Sequence, residues 1–96
     1  MIELTKKNNT GEVLRLLRVA YDLSISDLAD KINVSKSYIA EIEKGIKNPS
    51  EKIIQNYSIG LNIPESTLQY LLDSYSQKHL PYQELLMKIL RKISKL

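Results

Sequence analysis

The stretch from Ser24 to Gly45 has the pattern of two short helices joined by a tight corner, and it limits what the whole chain can fold into. Ser24 and Asp27 have the spacing of a capping box, which predicts that a helix begins there. Asn33 tolerates a left-handed backbone and stands where that helix has to stop. Ser35 is placed to cap a second helix, and Gly45 is placed to end it.

The apolar residues of each of these predicted helices fall on one face. The face of the first includes Ala29, which is small enough for a second helix to cross it at a steep angle. Such a crossing, with polar side chains outward on the second helix, is the helix-turn-helix arrangement. A helix of about ten residues has the size that enters the major groove of B-DNA. The apolar faces are Leu28, Ala29 and Ile32, then Ile39 and Ile42, and the outward face is Lys36, Ser37, Ala40, Glu41 and Lys44.

Helical periodicity on both sides of this stretch predicts further helices up to residue 75. Thr10 is placed as the N-cap of the helix that precedes the stretch, and Ser50 as the cap of the one that follows it. Asn62 suits a left-handed stop, and Pro64 suits the first position of the next helix. The residues predicted to face the core are Leu14, Leu17, Tyr21, Ile54, Tyr57, Leu61, Leu68, Leu71, Leu72 and Tyr75.

Two apolar surfaces are left without an obvious partner. The first helix carries a second stripe of Val13, Leu16 and Ala20, where an exposed helix normally carries charge. The segment from Pro81 to Leu96 forms an amphipathic helix whose stripe combines a coiled-coil seam with a bundle face. Burial contributes about 1.5–3 kcal/mol for each such side chain, so we expect the first helix, a second subunit or both to cover it. The predicted dimerisation residues are Tyr82, Leu85, Leu86, Ile89, Leu90, Ile93 and Leu96.

From Gly11 to about Leu72, the sequence resembles the phage-repressor and Cro type of helix-turn-helix family. The resemblance implies an all-α fold, in which a five-helix repressor-like helix-turn-helix domain is followed by a C-terminal amphipathic helix. Ile25 departs from the family, which often has a phosphate-contacting glutamine there, and Asp22 and Asn33 stand where glycine is common. The matching positions are Leu28-Ala29, Val34-Ser35, Ile39, Ile42-Glu43, Gly45 and Pro49-Ser50.

The resemblance also implies which residues contact DNA. Lys36, Ser37 and Glu41 occupy the positions that face base edges, where lysine donates to guanine and glutamate accepts from cytosine N4. The alternatives are a solvated helix face, simple capping for the serines and packing for Tyr38. In the family, residues at the positions of Arg18 and Glu43 pair, which predicts a largely buried bidentate salt bridge. The remaining predicted DNA contacts are Ser26, Ser35, Tyr38, Lys44, Lys47 and Asn48.

The net charge of the chain is +3, but the helix-turn-helix segment itself is neutral. This balance predicts weak non-specific DNA binding and a need for dimerisation or for extra basic groups such as Lys6, Lys7 and Arg15. Between Ser24 and Lys47 the bases are Lys31, Lys36, Lys44 and Lys47, and the acids are Asp27, Asp30, Glu41 and Glu43.

Composition excludes several classes of protein. The absence of cysteine excludes a disulfide scaffold and a thiolate site, and no run approaches the about 18 apolar residues of a membrane span. His79 lies in a polar hinge without a second ligand, and we find no phosphate loop or nucleophile motif. We therefore predict a non-enzyme that binds no cofactor, metal or membrane and is cytoplasmic. The predicted divisions are an arm at 1–9, the DNA-binding domain at 10–75, and a hinge with an assembly helix at 76–96.

These observations lead to one main hypothesis and one alternative. The resemblance implies a transcriptional regulator, most simply a repressor, that binds a pseudo-palindromic operator in double-stranded DNA as a homodimer. The alternative is a protein-interaction module, such as an antitoxin or an antagonist with weak DNA affinity, whose partner covers the C-terminal helix. The neutral segment and Ile25 favour this alternative.

Overall fold

The computed structural model describes residues 10–75 and 82–94, except for the side chains of Tyr75 and Tyr82. The described residues form six α-helices and contain no strand, which confirms the all-α fold class. The predicted arm, most of the predicted hinge with His79, and Leu96 lie outside the described residues. The helices are α1 (Thr10–Ala20), α2 (Ile25–Ile32), α3 (Lys36–Glu43), α4 (Glu51–Leu61), α5 (Glu65–Tyr75) and α6 (Tyr82–Ile93).

The ends of α2 follow the local signals in the sequence. The N–H of Asp27 donates to Oγ of Ser24 at 2.9 Å, and the N–H of Ser24 donates to Oδ2 of Asp27 at 3.1 Å. This reciprocal capping box satisfies two amide donors that the helix start leaves without partners. Asn33 ends the helix with a φ of 58°, and the Ser35 hydroxyl accepts the N–H of Tyr38 at 3.1 Å to begin α3. These predictions are confirmed.

Gly45 ends α3 in a Schellman motif. Gly45 has a φ of 80°, which costs glycine little because it lacks a Cβ. Its N–H donates to the Ile42 carbonyl at 3.0 Å, and the N–H of Ile46 donates to the Glu41 carbonyl at 2.9 Å. These are the two bonds of that motif, so the loop after α3 leaves in a fixed direction.

Pro64 lies one residue before the position that we predicted for it. Helix α5 begins at Glu65, and the Pro64 carbonyl accepts the N–H groups of Thr67 and Leu68, both at 3.0 Å. Pro64 is therefore the N-cap of α5. It lies just before the helix, and its carbonyl accepts the first hydrogen bonds of the helix. At the preceding chain reversal, Asn62 has a φ of 57°, which confirms the predicted left-handed stop of α4.

One hydrophobic core joins residues from all six helices. Helix α1 lies at its centre, because α3, α5 and α6 all pack against it. Its two predicted stripes are both largely covered: Val13 and Leu16 are as fully buried as Leu14 and Leu17, and Ala20 and Tyr21 at the end of the helix are half-buried. The core residues are Val13, Leu14, Leu16, Leu17, Leu28, Ala29, Ile32, Ile39, Ile42, Tyr57, Leu61, Ile63, Leu68, Leu71, Leu72, Leu85 and Ile89.

Within a single chain, α6 covers the second stripe of α1. Leu85 and Ile89 are buried in the shared core, and Leu86 and Ile93 pack partly against it. Leu90, in contrast, is 38% exposed. Lys92 places its ammonium 4.3 Å from the centroid of the Tyr70 ring, a cation–π distance that links α6 to α5. Any role of α6 in dimerisation must use the face that this packing leaves open.

Candidate nucleic-acid interface

Helix α3 is anchored through its inner face. Ile39 and Ile42 on this face are fully buried. The start of α1 approaches the end of α3 so closely that a Cβ added to Gly11 would lie 2.2 Å from the Ile42 carbonyl oxygen. Only glycine permits this backbone contact, because 2.2 Å is far inside van der Waals distance. The position of α3 is therefore fixed by backbone as well as by side-chain packing.

Arg18 and Glu43 form a bidentate salt bridge behind α3. Arg18 Nε donates to Oε2 of Glu43 at 2.7 Å, and Nη2 donates to Oε1 at 3.0 Å. A third guanidinium nitrogen, Nη1, donates to the Leu23 carbonyl at 2.8 Å. The exposed fractions of the two side chains are 13% for arginine and 5% for glutamate. One guanidinium thus ties α1, the turn before α2, and α3 together, which fixes the angle at which α3 is presented.

The outer face of α3 is open to solvent. Lys36 and Ser37 are exposed in its first turn, Lys44 is exposed at its end, and Glu41 between them is half-buried. Lys47 and Asn48 are exposed in the following loop, and Ser26 is exposed in the first turn of α2. The structure therefore places most of the predicted DNA contacts on the surface. Two predicted contacts have a second role, since Ser35 caps α3 and Tyr38 packs partly on the core.

Lys47 contacts two predicted DNA-binding residues. Its Nζ lies 3.6 Å from Oε1 of Glu41 and 5.7 Å from the centroid of the Tyr38 ring. Sequence spacing did not reveal these contacts, because Lys47 lies in the loop beyond the end of α3. The local signal was Gly45, whose left-handed conformation turns the loop back toward the helix.

The outer face of α3 and the following loop are basic, although the helix-turn-helix segment from Ser24 to Lys47 is neutral. Glu43 points inward, and Arg18 from α1 neutralises it. The outer face of α3 and the following loop then carry Lys36, Lys44 and Lys47 against a single acid, Glu41. A surface with an excess of bases attracts phosphate, although the segment as a whole is neutral.

Residues 14–68, which are more than half of the chain, match the sequence model of a protein family described as Helix-turn-helix. The chain belongs to the helix-turn-helix family. SlrR of Bacillus subtilis, an HTH-type transcriptional regulator, is 39% identical over 54 residues, which are 55% of this chain and 36% of SlrR. SinR of the same species is 34% identical over 59 residues, which are 60% of this chain and 53% of SinR. The transcriptional regulator ClgR of Mycobacterium tuberculosis is 33% identical over 58 residues, 60% of this chain and 52% of ClgR.

The predicted resemblance to phage-repressor and Cro proteins is thus confirmed at the level of the family. These relatives are transcriptional regulators and not enzymes, which confirms the prediction of a non-enzymatic function for this helix-turn-helix domain. The chain spans about half of the length of SinR and ClgR and a smaller share of SlrR. A comparison with solved structures gave no significant match.

The two helix starts on the outer surface of this helix-turn-helix protein differ in charge. At the start of α2, the pKa of Asp27 is held below its usual range, first by the hydrogen bond from the Ser24 backbone and then by the Ser24 side chain. That helix end already has a carboxylate. The first turn of α3 contains no acidic residue, so its free amide groups are the better site for a phosphate.

Ile25, which departs from the family pattern, has a packing role in the structure. It is the first residue of α2, and its half-buried side chain packs against the core. An apolar side chain there stabilises the helix start, whereas a glutamine would present an amide to a phosphate. Ser26, the next residue, is exposed and is the polar group that α2 offers at this position.

Tyr57 has a buried hydroxyl that lacks a hydrogen-bond partner in the part of the chain that the structure describes, which sequence reasoning did not predict. Its side chain is fully buried in α4, and its hydroxyl has no hydrogen-bond partner among the described residues. The pKa of Tyr57 is raised well above its usual range, mainly by burial and next by the nearby negative charge of Glu43. The sequence predicted only that Tyr57 faces the core, because periodicity does not show whether a hydroxyl finds a partner.

Other kinds of site find no support in the described parts of the chain. Residues 10–75 and 82–94 contain no group of three or more histidine, cysteine, aspartate or glutamate side chains that could hold a metal. None of the helices in these ranges is long and apolar enough to cross a membrane. The candidate functional site is the outer surface of α3 with its flanking residues.

Proposed function

We propose that this protein is a sequence-specific repressor that binds a pseudo-palindromic operator in double-stranded DNA as a homodimer in the cytoplasm. The observation that carries the proposal is the division of α3 into two faces. Its inner face is fixed by the Arg18–Glu43 salt bridge, and its outer face presents basic side chains on an open surface. A helix held in this way enters the major groove with little loss of conformational entropy.

In this proposal, α3 is the recognition helix. Lys36 and Ser37 in its first turn and Glu41 in its second turn face base edges. Phosphate contacts on both sides fix the register of the helix in the groove but carry little sequence information. Repression follows from occupying a promoter. The residues proposed for phosphate contact are Ser26, Ser35, Tyr38, Lys44, Lys47 and Asn48.

Dimerisation is proposed through the face of α6 that the core leaves open. Met87 is 54% exposed and Leu90 is 38% exposed, and the two are one helical turn apart. A two-fold axis at this face brings the same patch of both subunits together. It would also present the two recognition helices about 34 Å apart, one turn of B-DNA. Leu86 and Ile93, which pack partly against the core, border this surface in the proposal, and Leu85 and Ile89 support it from the core. The other two predicted dimerisation residues, Tyr82 and Leu96, have side chains outside the described part of the chain.

Binding-site selection from random duplex DNA, followed by affinity measurements at several salt concentrations, tests the DNA-binding proposal. We expect a selected palindrome and a steep loss of affinity with salt, because bound phosphates release counterions. Lys36→Ala should change the preferred bases at a cost of about 1–3 kcal/mol per lost contact. Lys31→Ala, at the far end of α2, is the matched control and should keep the preference. Binding without sequence preference or salt dependence would favour the interaction-module alternative.

Sedimentation of Leu90→Glu tests the dimer. Deleting α6 would be a poor test, because it would also uncover Val13 and Leu16 of α1. Replacing the partly exposed Leu90 adds a charge to the open face and leaves the core intact. We expect a monomer with an unchanged helical circular dichroism spectrum. A variant that sediments as the parent does would contradict the proposed interface.

A further inference from the structure

Lys47 is positioned to do more than contact a phosphate. Its ammonium pairs with Oε1 of Glu41 at 3.6 Å and lies 5.7 Å from the centroid of the Tyr38 ring. All three residues lie on the outer surface of α3 or next to it. The exposed fractions of 54% for Lys47 and 40% for Glu41 leave both side chains within reach of a bound duplex.

A backbone hydrogen bond holds Lys47 and Glu41 close together independently of the contact between their side chains. The N–H of Lys47 donates to the Glu41 carbonyl at 3.2 Å, next to the Schellman bond from Ile46 to the same oxygen. Lys47 is thus hydrogen-bonded to the residue whose carboxylate it faces. Because the loop holds the two side chains close together, the pair requires less ordering than an ordinary surface ion pair.

The pair changes what Glu41 presents to DNA. An acid on a DNA-facing surface is repelled by phosphates, and the Lys47 ammonium offsets that charge. The Lys47 ammonium lies 3.6 Å from Oε1 of Glu41, and the Glu41 side chain is still 40% exposed, so its carboxylate remains open to a second donor. A carboxylate oxygen held with a free lone pair is the acceptor that the N4 amino group of cytosine requires.

We infer that Lys47 is a positioning residue for base recognition, which holds the carboxylate of Glu41 so that it accepts the N4 amino group of a cytosine. This inference rests on the proposed DNA-binding function. It assigns Lys47 a part in sequence preference in addition to a phosphate contact. Removing a lysine that contacts only phosphate lowers affinity uniformly across sequences, whereas removing a positioning residue lowers discrimination at one base, so the two roles give different results.

The test uses two DNA duplexes. One is the selected operator, and the other is the same operator with the cytosine that Glu41 contacts replaced by another base. Glu41→Gln locates this base, because it should reduce discrimination there by roughly five- to tenfold. Lys47→Met keeps the apolar stem of the side chain and removes its charge. We expect it to lose discrimination at the same base, whereas the control Lys44→Met should weaken binding to both duplexes equally. Lys47→Arg keeps the charge and the contact with Tyr38, and should restore most of the discrimination.

A double variant separates positioning from an independent contact. If Lys47 acts through Glu41, the double variant Glu41→Gln with Lys47→Met should discriminate at that base no worse than Glu41→Gln alone. Three outcomes would each overturn the inference: additive losses in discrimination, a uniform loss of affinity for Lys47→Met, or no effect of Glu41→Gln. None of them would contradict the proposed function, because the parent protein would still bind DNA with sequence preference. A parent that selects no sequence at all would overturn the proposed function, and the inference with it.

Discussion

The two faces of α3 carry the same chemistry in opposite surroundings. On the inner face, Glu43 pairs with Arg18 through two hydrogen bonds and is only 5% exposed. On the outer face, Glu41 pairs with Lys47 at 3.6 Å and is 40% exposed. Burial decides what each pair does. The inner pair fixes the helix because neither charge reaches water easily, whereas the outer pair is accessible to solvent and open to a ligand.

The largest expected effect is the difference in stability between Glu43→Ala and Glu41→Ala. Removing Glu43 leaves Arg18 largely buried without its partner, at a cost of about 3 kcal/mol. Removing Glu41 breaks an exposed pair, at a cost of about 0.5 kcal/mol or less. Thermal unfolding should therefore place Glu43→Ala at least roughly 10 °C below Glu41→Ala for a domain of this size. Equal melting temperatures would show that the buried pair does not hold α3 in place.

A second prediction concerns the backbone contact that supports the inner face. In Gly11→Ala, the added Cβ would meet the Ile42 carbonyl oxygen at 2.2 Å, so α1 or α3 must shift. Overpacking of this kind typically costs 1–3 kcal/mol, and we expect about 2 kcal/mol or more because backbone, not a flexible side chain, is in the way. Urea denaturation measures the loss. Val19→Ala, at a partly exposed position of α1, is the control and should change stability far less. A Gly11→Ala protein as stable as that control would rule out the close approach.

The third effect is smaller and of opposite sign. Tyr57→Phe removes a buried hydroxyl that has no partner among the described residues, so we expect stability to rise by about 1 kcal/mol. The pH dependence sharpens this prediction. The folded pKa of Tyr57 is raised above the value of 10.0 expected for the unfolded chain. Unfolding therefore releases a proton above about pH 10, and the free energy of unfolding falls as the pH rises further.

Denaturation of the parent and of Tyr57→Phe at pH 8 and at pH 11 checks both parts of this prediction. The variant should be the more stable protein at pH 8 and should lose less stability at pH 11. The raised pKa of Tyr21 remains in both proteins and cancels in the comparison. A variant less stable than its parent at pH 8 would mean that the hydroxyl has a stabilising partner.

Much of the fold follows from local chemistry, and the sequence therefore predicted it. The caps at Ser24, Ser35 and Ser50 and the left-handed turns at Asn33 and Asn62 depend only on residues a few positions apart. The spacing of apolar residues likewise predicted which faces of the helices are buried. The Arg18–Glu43 contact followed from the family resemblance, because periodicity places both residues near the core but cannot show that they meet.

The remaining features depend on contacts between distant segments or on loop geometry. The charge of the outer surface of α3 does not follow from the composition of the segment from Ser24 to Lys47, because Arg18, the partner of Glu43, lies outside that segment. The contact from Lys47 to Glu41 requires the direction of a loop, which spacing alone does not give. The apolar stripe on α1 had two possible partners, and only the packed structure shows that α6 of the same chain covers it.

The burial of α1 under α6 has a consequence for how the chain folds. Helix α6 packs against α1 although four helices lie between them along the chain, and closing so long a loop is entropically costly. The helix-turn-helix unit can condense earlier, since α2 contacts α3 and α4, its neighbours along the chain. Folding is thus expected to end with the docking of α6. Undocking of the same helix should be among the first openings of the native protein, visible as faster amide exchange in α6 than in α2.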